Sequence, residues 1–449
     1  MRQGLSRWQP LLLSWLGIME WAGSAKAEGG ATSPAVVEQR ARHGRISMGS
    51  SHALAVTANG TVKTWGINSI TTDTLEVGAS ASQIWSVAVD RLSGITSVSA
   101  GHEHSLALHQ DGTVWLWYGN SPAQPPAGPS GHLAPVRITS LTNATAVAAG
   151  NSFSVVLRQD GTVWAWGSNS HGQLGDGTTL DRHAPVQVQG LTNVVAISAS
   201  SGEHSLALRQ DGSVWAWGAN GSGQVKGSNP ATVLTTPTQV EGLSDVVAIS
   251  ARDEQVLALR QDGSLWGWGN NDQGTLATGS DVRLTPVLLG GLSHVTALRA
   301  SNSHVLARRQ DGTVWSWGDN AQGQLGDATA YVRETPTQVP GLTDVAALGA
   351  GTYHAMAVCT DGSVWTWGYN PYGQLGDGTL LNRTTPAPVA GLQGVTAVST
   401  GSDLAFALLA NGEVHGWGAN RSSRLGDGWA STHAIPGNVL PPASIQVTP

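Results

Sequence analysis

An apolar run, then Asn or Asp followed by Gly, then a short, mostly valine-led segment ending in Trp-Gly, or in Trp-Tyr-Gly in the second copy, recurs eight times along this chain. The turn residue falls at Asn59, Asp111, Asp160, Asp211, Asp262, Asp311, Asp361 and Asn411, so successive copies lie 52, 49, 51, 51, 49, 50 and 50 residues apart. A period that steady means one repeat architecture rather than several domains in series.

Residues 343–392 show the unit strand by strand. Val345, Ala347 and Gly349 alternate with their neighbours before Gly351, and His354, Met356 and Val358 alternate before Asp361-Gly362. Period-two patterning around Asp-Gly reads as a two-residue hairpin with a type I′ turn. The return strand, Ser363 to Gly368, puts Trp365 and Trp367 on one face. The loop Gly373-Gln374-Leu375-Gly376-Asp377-Gly378 leads to Thr385-Pro386-Ala387-Pro388-Val389, a strand whose prolines place it at a sheet edge. Four short strands per copy with no helical period between copies predict an all-β chain, a closed β-propeller of four-stranded antiparallel blades. The copies divide as about 45–94, 95–143, 144–193, 194–243, 244–292, 293–342, 343–392 and 393–441, with a linker at 28–44 and a tail at 442–449.

Residues 1–27 stand outside the repeat. Arg2 and Arg7 precede an apolar stretch from Leu11 to Ile18, and Ala25-Lys26-Ala27 supplies small residues before a cut after Ala27, the order of a secretory signal. The expectation is a secreted or periplasmic protein, with a cytoplasmic chain as the alternative. Removal of that segment leaves 20 basic and 29 acidic side chains, a net charge of −9 against −7 for the whole sequence. Such a balance argues against a nucleic-acid partner. Beyond the N-terminus no apolar run approaches the ~20 residues of a spanning helix. Cys359 is the only cysteine, which excludes an intrachain disulfide and reads as a small packed hydrophobe.

The pattern Gly-x-x-His, x-Leu-Ala-Leu, Asp-Gly-x-Val-Trp-x-Trp-Gly and Gly-Gln-Leu-Gly stands here at His204 to Leu208, Asp211 to Gly218 and Gly172 to Asp176. It resembles the regulator of chromosome condensation repeat family, in the form of a bacterial propeller member. The resemblance implies a propeller usually of seven blades, its last blade completed from both chain ends. Eight complete hairpins, none short enough to be half a blade, favour eight. Members of the family include an exchange factor for a small GTPase, an ultraviolet-B sensor and a secreted β-lactamase inhibitor, all acting through a propeller face pressed on another protein. The resemblance therefore implies an unknown protein partner for a non-enzymatic scaffold, here expected to be monomeric. The alternatives are a guanine-nucleotide exchange factor and a secreted propeller lectin or enzyme inhibitor. No inserted wedge or basic tail of the exchange-factor kind is visible.

Six Trp-x-Trp pairs recur, Trp115 and Trp117, Trp164 and Trp166, Trp215 and Trp217, Trp266 and Trp268, Trp315 and Trp317, and Trp365 and Trp367, with Trp417 alone in the last copy. Side chains two apart in a strand share a face, so these predict packing between neighbouring blades. Lys63 and His415 replace the leading Trp in the first and last copies, which predicts a looser seam where the ring closes. His52, His104, His204, His304 and His354 recur seven residues before the turn, where other copies hold Phe153, Gln255 and Leu404. Equivalent atoms in successive blades lie too far apart to share a metal ion, so these histidines are expected to pack. Arg158, Arg209, Arg260 and Arg309 occupy one position in four successive copies, each followed by Gln159, Gln210, Gln261 or Gln310. They predict a basic arc over half the hairpin-turn rim, suited to an acidic partner surface. The Gly-Gln-Leu-Gly loops carry one Asp each and lack a following Lys-Ser or Lys-Thr, so neither a phosphate nor a calcium site is expected. No G-x-S-x-G, H-E-x-x-H or P-loop occurs, and no cofactor is expected.

Overall fold

The structure, a computed structural model, describes residues 46–439 apart from 50–51, 58, 68–81, 90–91, 103, 118–134, 228–232, 277–281, 302, 421–424 and 426–431. The proposed signal segment and the linker lie outside the described residues.

The alternation read from residues 343–392 becomes the strands Val345–Ala350, His354–Cys359, Val364–Gly368 and Arg383–Pro388, here called a to d in chain order. They pair antiparallel in that order. All eight copies do the same, giving eight four-stranded sheets: blades 1 (46–88), 2 (95–137), 3 (144–187), 4 (194–239), 5 (246–288), 6 (295–338), 7 (345–388) and 8 (395–438). Each blade uses four consecutive strands, so no blade is shared between the chain ends. The a strands of neighbouring blades meet, save those of blades 5 and 6, and that of blade 1 meets that of blade 8.

The turn differs from the type I′ expectation. In blade 3 Gly161 has φ 75° but Asp160 is not in the left-handed region. The Gly161 amide donates to the Arg158 carbonyl at 2.9 Å, and the Arg158 amide to the Thr162 carbonyl at 3.0 Å. This is a type I turn closed by a left-handed glycine, the three-residue hairpin with a bulge. Asp is chosen for its side chain: its Oδ1 accepts from the Thr162 amide at 3.0 Å and hydroxyl at 2.6 Å.

The core lies between blades. Eight apolar clusters form, one at each junction, and each contains the trailing Trp of the later blade: Trp65, Trp117, Trp166, Trp217, Trp268, Trp317, Trp367 and Trp417. All are sealed from solvent. The closing seam is as apolar as the rest, contrary to the looser packing expected from Lys63 and His415. It keeps Trp65, whose ring meets Phe406 of blade 8 edge-on at 5.3 Å.

The glycine loop between strands c and d reaches the next blade. A buried Asn anchors it: Asn320 Oδ1 accepts from the Leu325 amide at 3.0 Å and Nδ2 donates to Asp327 at 3.0 Å. Leu325 is fully buried, and a Cβ on Gly326 would stand 2.7 Å from Nε1 of Trp367. The Ala328 amide then donates to the Thr384 carbonyl on strand d of blade 7 at 2.9 Å, and Gly177 and Gly378 bond Thr235 and Ala434 likewise. The outermost strand, exposed at a sheet edge, is thus partly covered by its neighbour. Among the described residues no helix is long and apolar enough to cross a membrane.

Candidate functional site

The two members of each Trp pair have different fates, set by depth along strand c. The trailing indole is buried at the junction, and in blades 4 to 8 it donates Nε1 to a carbonyl of the preceding blade: Trp217 to Gln173 at 2.8 Å, Trp268 to Gln224 at 2.9 Å, Trp317 to Thr275 at 2.7 Å, Trp367 to Gln324 at 2.9 Å and Trp417 to Gln374 at 2.9 Å. The leading indoles, Trp115, Trp164, Trp215, Trp266, Trp315 and Trp365, are half-buried near the hairpin turn and pack against the same junction clusters, as expected of inter-blade rings. In blades 3 to 6 the leading Nε1 donates back to the hydroxyl two residues earlier, Thr162, Ser213, Ser264 or Thr313, at 3.1–3.3 Å.

The arginines of the predicted arc lie over these rings. The guanidinium carbon stands 6.0 Å from the Trp164 ring centre for Arg158, 4.5 Å from Trp215 for Arg209, 5.9 Å from Trp266 for Arg260 and 5.8 Å from Trp315 for Arg309. A cation over an aromatic face contributes ~0.5–1 kcal/mol at such exposed sites. Each head group also donates to a carbonyl of the blade-crossing loop: Arg158 to Thr142 at 3.0 Å, Arg209 to Gly190 at 3.1 Å, Arg260 to Ser244 at 2.8 Å and Arg309 to Ser293 at 3.0 Å. Carboxylates stand close by, Asp160 at 3.5 Å from Arg158, Asp245 at 3.3 Å from Arg260 and Asp311 at 3.4 Å from Arg309. The four arginines thus take one equivalent place in four successive blades, and carboxylates partly neutralise three of them. The neighbouring Gln159, Gln210, Gln261 and Gln310 turn their side chains to solvent while their amides bond the blade-crossing loop at 2.8–2.9 Å. Hydrogen bonds from the Thr or Ser hydroxyl and amide hold the turn carboxyls below the usual range; that of Asp111 is lowered to about 2 by Thr113.

The recurring histidines belong to the frame. His52 Nε2 lies 2.9 Å from Ser105 Oγ, and His104 Nε2 3.0 Å from Ser154 Oγ, each bridging to the following blade. Burial lowers their pKa, and those of His204 and His354, to about 4, and that of His304 to about 3. Neutral imidazoles with these partners hold adjacent blades in register. Among the described residues no group of three or more His, Cys, Asp or Glu is placed to hold a metal ion. Cys359 is half-buried beside the Thr343 carbonyl at 3.7 Å, and burial raises its pKa.

The glycine loops of blades 3, 6 and 7 carry an ion pair that the spacing alone did not reveal. Asp176, Asp327 and Asp377 are nearly inaccessible and meet Arg182, Arg333 and Arg383 of strand d at 2.6, 2.7 and 2.6 Å. Burial alone would raise the Asp327 pKa, but bonds from Thr329 and Arg333 outweigh it and hold the pKa lower. The recurrent Asp-x₅-Arg spacing was the available signal.

Residues 201–448 match the family described as RCC1-like domain, and residues 160–208, with 45–69, 95–117 and 144–173, match the regulator of chromosome condensation (RCC1) repeat. The chain is 30% identical over 255 residues to the ultraviolet-B receptor UVR8 of Arabidopsis thaliana, covering 54% of this chain and 57% of that one. It is 27% identical over 244 residues to the mitochondrial RCC1 domain-containing protein RUG3 of the same plant, covering 50% and 53%. It thus spans about half the length of the curated relatives it matches. Among solved structures, human WBSCR16 superposes with a TM-score of 0.60 at 22% identity, covering 79% of this chain and 98% of that one. Prp20p of Saccharomyces cerevisiae gives 0.57 at 21%, covering 76% and 88%. At those identities the likeness is one of fold.

Proposed function

We propose that this chain, which belongs to the RCC1-like domain family, is a protein-contact scaffold without catalytic chemistry of its own, working through its hairpin-turn rim. One observation carries this reading: the same guanidinium arrangement, stacked on Trp and tethered to a carbonyl, stands in four adjacent blades. Side chains already ordered lose little freedom on binding, so a strip of held arginines is preorganised for carboxylates. The exposed glutamine amides beside them add donors and acceptors. An acidic protein surface is the partner this strip suits. Prp20p is described with binding to Gsp1p and histones; exchange on a small GTPase is the alternative that such relatives raise here. The trailing Trp rings, sealed between blades, offer no face to a sugar, which leaves a lectin only the half-buried leading rings. The proposed setting is an exported protein of a bacterial source, cut after Ala27.

Arg158, Arg209, Arg260 and Arg309 changed together to Gln, with a photo-crosslinking residue in place of Gln210, provide the test in native extract. The quadruple variant should lose the partners that the otherwise unchanged protein captures. An identical set of crosslinks sinks the rim as the contact surface, and accelerated nucleotide release from a small GTPase sinks the scaffold-only reading.

A further inference from the structure

The eight copies are each other's controls, and one blade departs from the others at three places on the face opposite the hairpin turns. The residue preceding strand b is Ser51, Glu103, Ser152, Glu203, Glu254, Ser303 and Asp403 in seven copies, but Tyr353 in blade 7. The residue following strand c is Ser168, Ala219, Asn270, Asp319 and Ala419 in blades 3, 4, 5, 6 and 8, but Tyr369 in blade 7. Two residues beyond the anchoring Asn, blades 3, 4, 5, 6 and 8 hold His171, Ser222, Gln273, Gln322 and Ser422, and blade 7 holds Tyr372.

These three departures converge. The rings of Tyr353 and Tyr369 meet edge-on with centres 6.1 Å apart, and those of Tyr369 and Tyr372 with centres 6.3 Å apart. The Tyr369 amide donates to the Tyr353 carbonyl at 2.9 Å, which fixes the first pair. Tyr353 is 41% exposed, and Leu381, at the far end of the loop that carries Tyr369 and Tyr372, is 74% exposed. Strand b, six residues and about 20 Å long, separates this ladder from the hairpin rim. In other blades these places hold mostly polar residues that bond across a junction, as Glu203 does with His171 and Glu254 with Ser222 at 2.7 Å, so blade 7 replaces polar bridges with rings. A packed tyrosine group with one exposed ring, Tyr353, and two half-buried ones, Tyr369 and Tyr372, has the composition of a binding hot spot.

The surroundings select the partner's charge. Blades 6 and 8, on either side, carry Asp319 and Asp403 at the positions equivalent to Tyr369 and Tyr353. Asp319 accepts from the Gln324 side chain at 2.8 Å and the Ala321 amide at 3.0 Å, both neutral donors. We propose that the tyrosine ladder of blade 7 is a second docking surface, which receives an arginine- or lysine-bearing segment of a partner protein between flanking carboxylates. A cation over the ring faces, with carboxylates beside it, gains from both. The two faces then have opposite preferences, acidic partners at the hairpin rim and basic ones here.

The test uses the full chain and a fluorescent arginine-rich nonapeptide, with a glutamate-rich peptide and a soluble oligosaccharide as comparisons, read by fluorescence anisotropy. The triple variant Tyr353→Ser, Tyr369→Ala, Tyr372→Gln borrows residues from other blades and leaves net charge unchanged. The arginine peptide should bind at least tenfold more weakly to it than to the unchanged chain, and Asp319→Asn alone should also weaken binding. Should the triple variant fail to fold, Tyr372→Gln and Asp319→Asn singly carry the same comparison. Equal affinity for variant and unchanged chain, no binding of the arginine peptide, or ladder-dependent binding of the oligosaccharide instead overturns the proposal.

Discussion

The buried histidines set how the protein responds to acid. Their folded pKa values, about 4 and for His304 about 3, lie below the ordinary 6.5 because burial disfavours the charged ring. Between those values the unfolded chain binds more protons, so stability rises with pH there. The contribution is fully present above about pH 6.5 and is lost as pH falls toward 4. Denaturant midpoints at pH 7.0, 5.5 and 4.5 should drop progressively. His354→Phe, borrowing the residue that blade 3 carries at Phe153, should reduce the slope, on the order of 1–3 kcal/mol over the range. A slope unchanged in that variant would assign acid sensitivity to the carboxylates. These side chains were legible as structural from their substitution by Phe and Leu in other copies, whereas the serines that His52 and His104 bridge to, Ser105 and Ser154, were not.

At the scale of the element, the glycine loop joins one blade to the outer strand of the next. Blades 3 and 7 place Gly177 and Gly378 at φ +85° and +81°. Blade 6 places Ala328 at φ 66° in the same role. A left-handed conformation costs a non-glycine residue about 1 kcal/mol, part of which glycine returns in the greater freedom of its unfolded chain. Ala328→Gly should therefore stabilise the protein by about 0.5 kcal/mol in urea titration, while Gly378→Ala should destabilise it. A destabilised Ala328→Gly would show that its Cβ packs usefully. The strands and the edge position of strand d were readable from alternation and proline. The turn type was not, because Asp-Gly suits more than one hairpin and the choice follows from the hydrogen bonds between Arg158 and Thr162. Asp327 and Arg333 were visible as residues, but their pairing depends on how the loop folds back over Asn320.

Over the whole molecule, the ring closes among the described residues by packing between blades rather than by a shared strand. Blades 1 and 8 share no strand, and their junction is held by packing around Trp65 and Phe406. Phe406→Ala removes the ring that meets Trp65 and should cost about 3–4 kcal/mol. Hydrogen exchange should rise first in 46–48 and 395–400, the two a strands at the seam. Equal loss of protection in all blades would instead mean that the ring opens only by global unfolding. Mass spectrometry of the native protein tests export: a mature chain beginning at Glu28 is expected, and an intact residue 1 in a cytosolic fraction refutes it.

Sequence by itself determined the number of repeats, the strands within each and the alignment of Arg158, Arg209, Arg260 and Arg309 along one rim, because all three follow from a period and from local alternation. It could not separate the Trp of each pair that seals a junction from the one that carries an arginine. Nor could it foresee that Tyr353, Tyr369 and Tyr372 meet. Those facts depend on the depth of each residue in the ring and on contacts between strands and blades, which the order of residues along one chain does not state and only the closed tertiary structure decides.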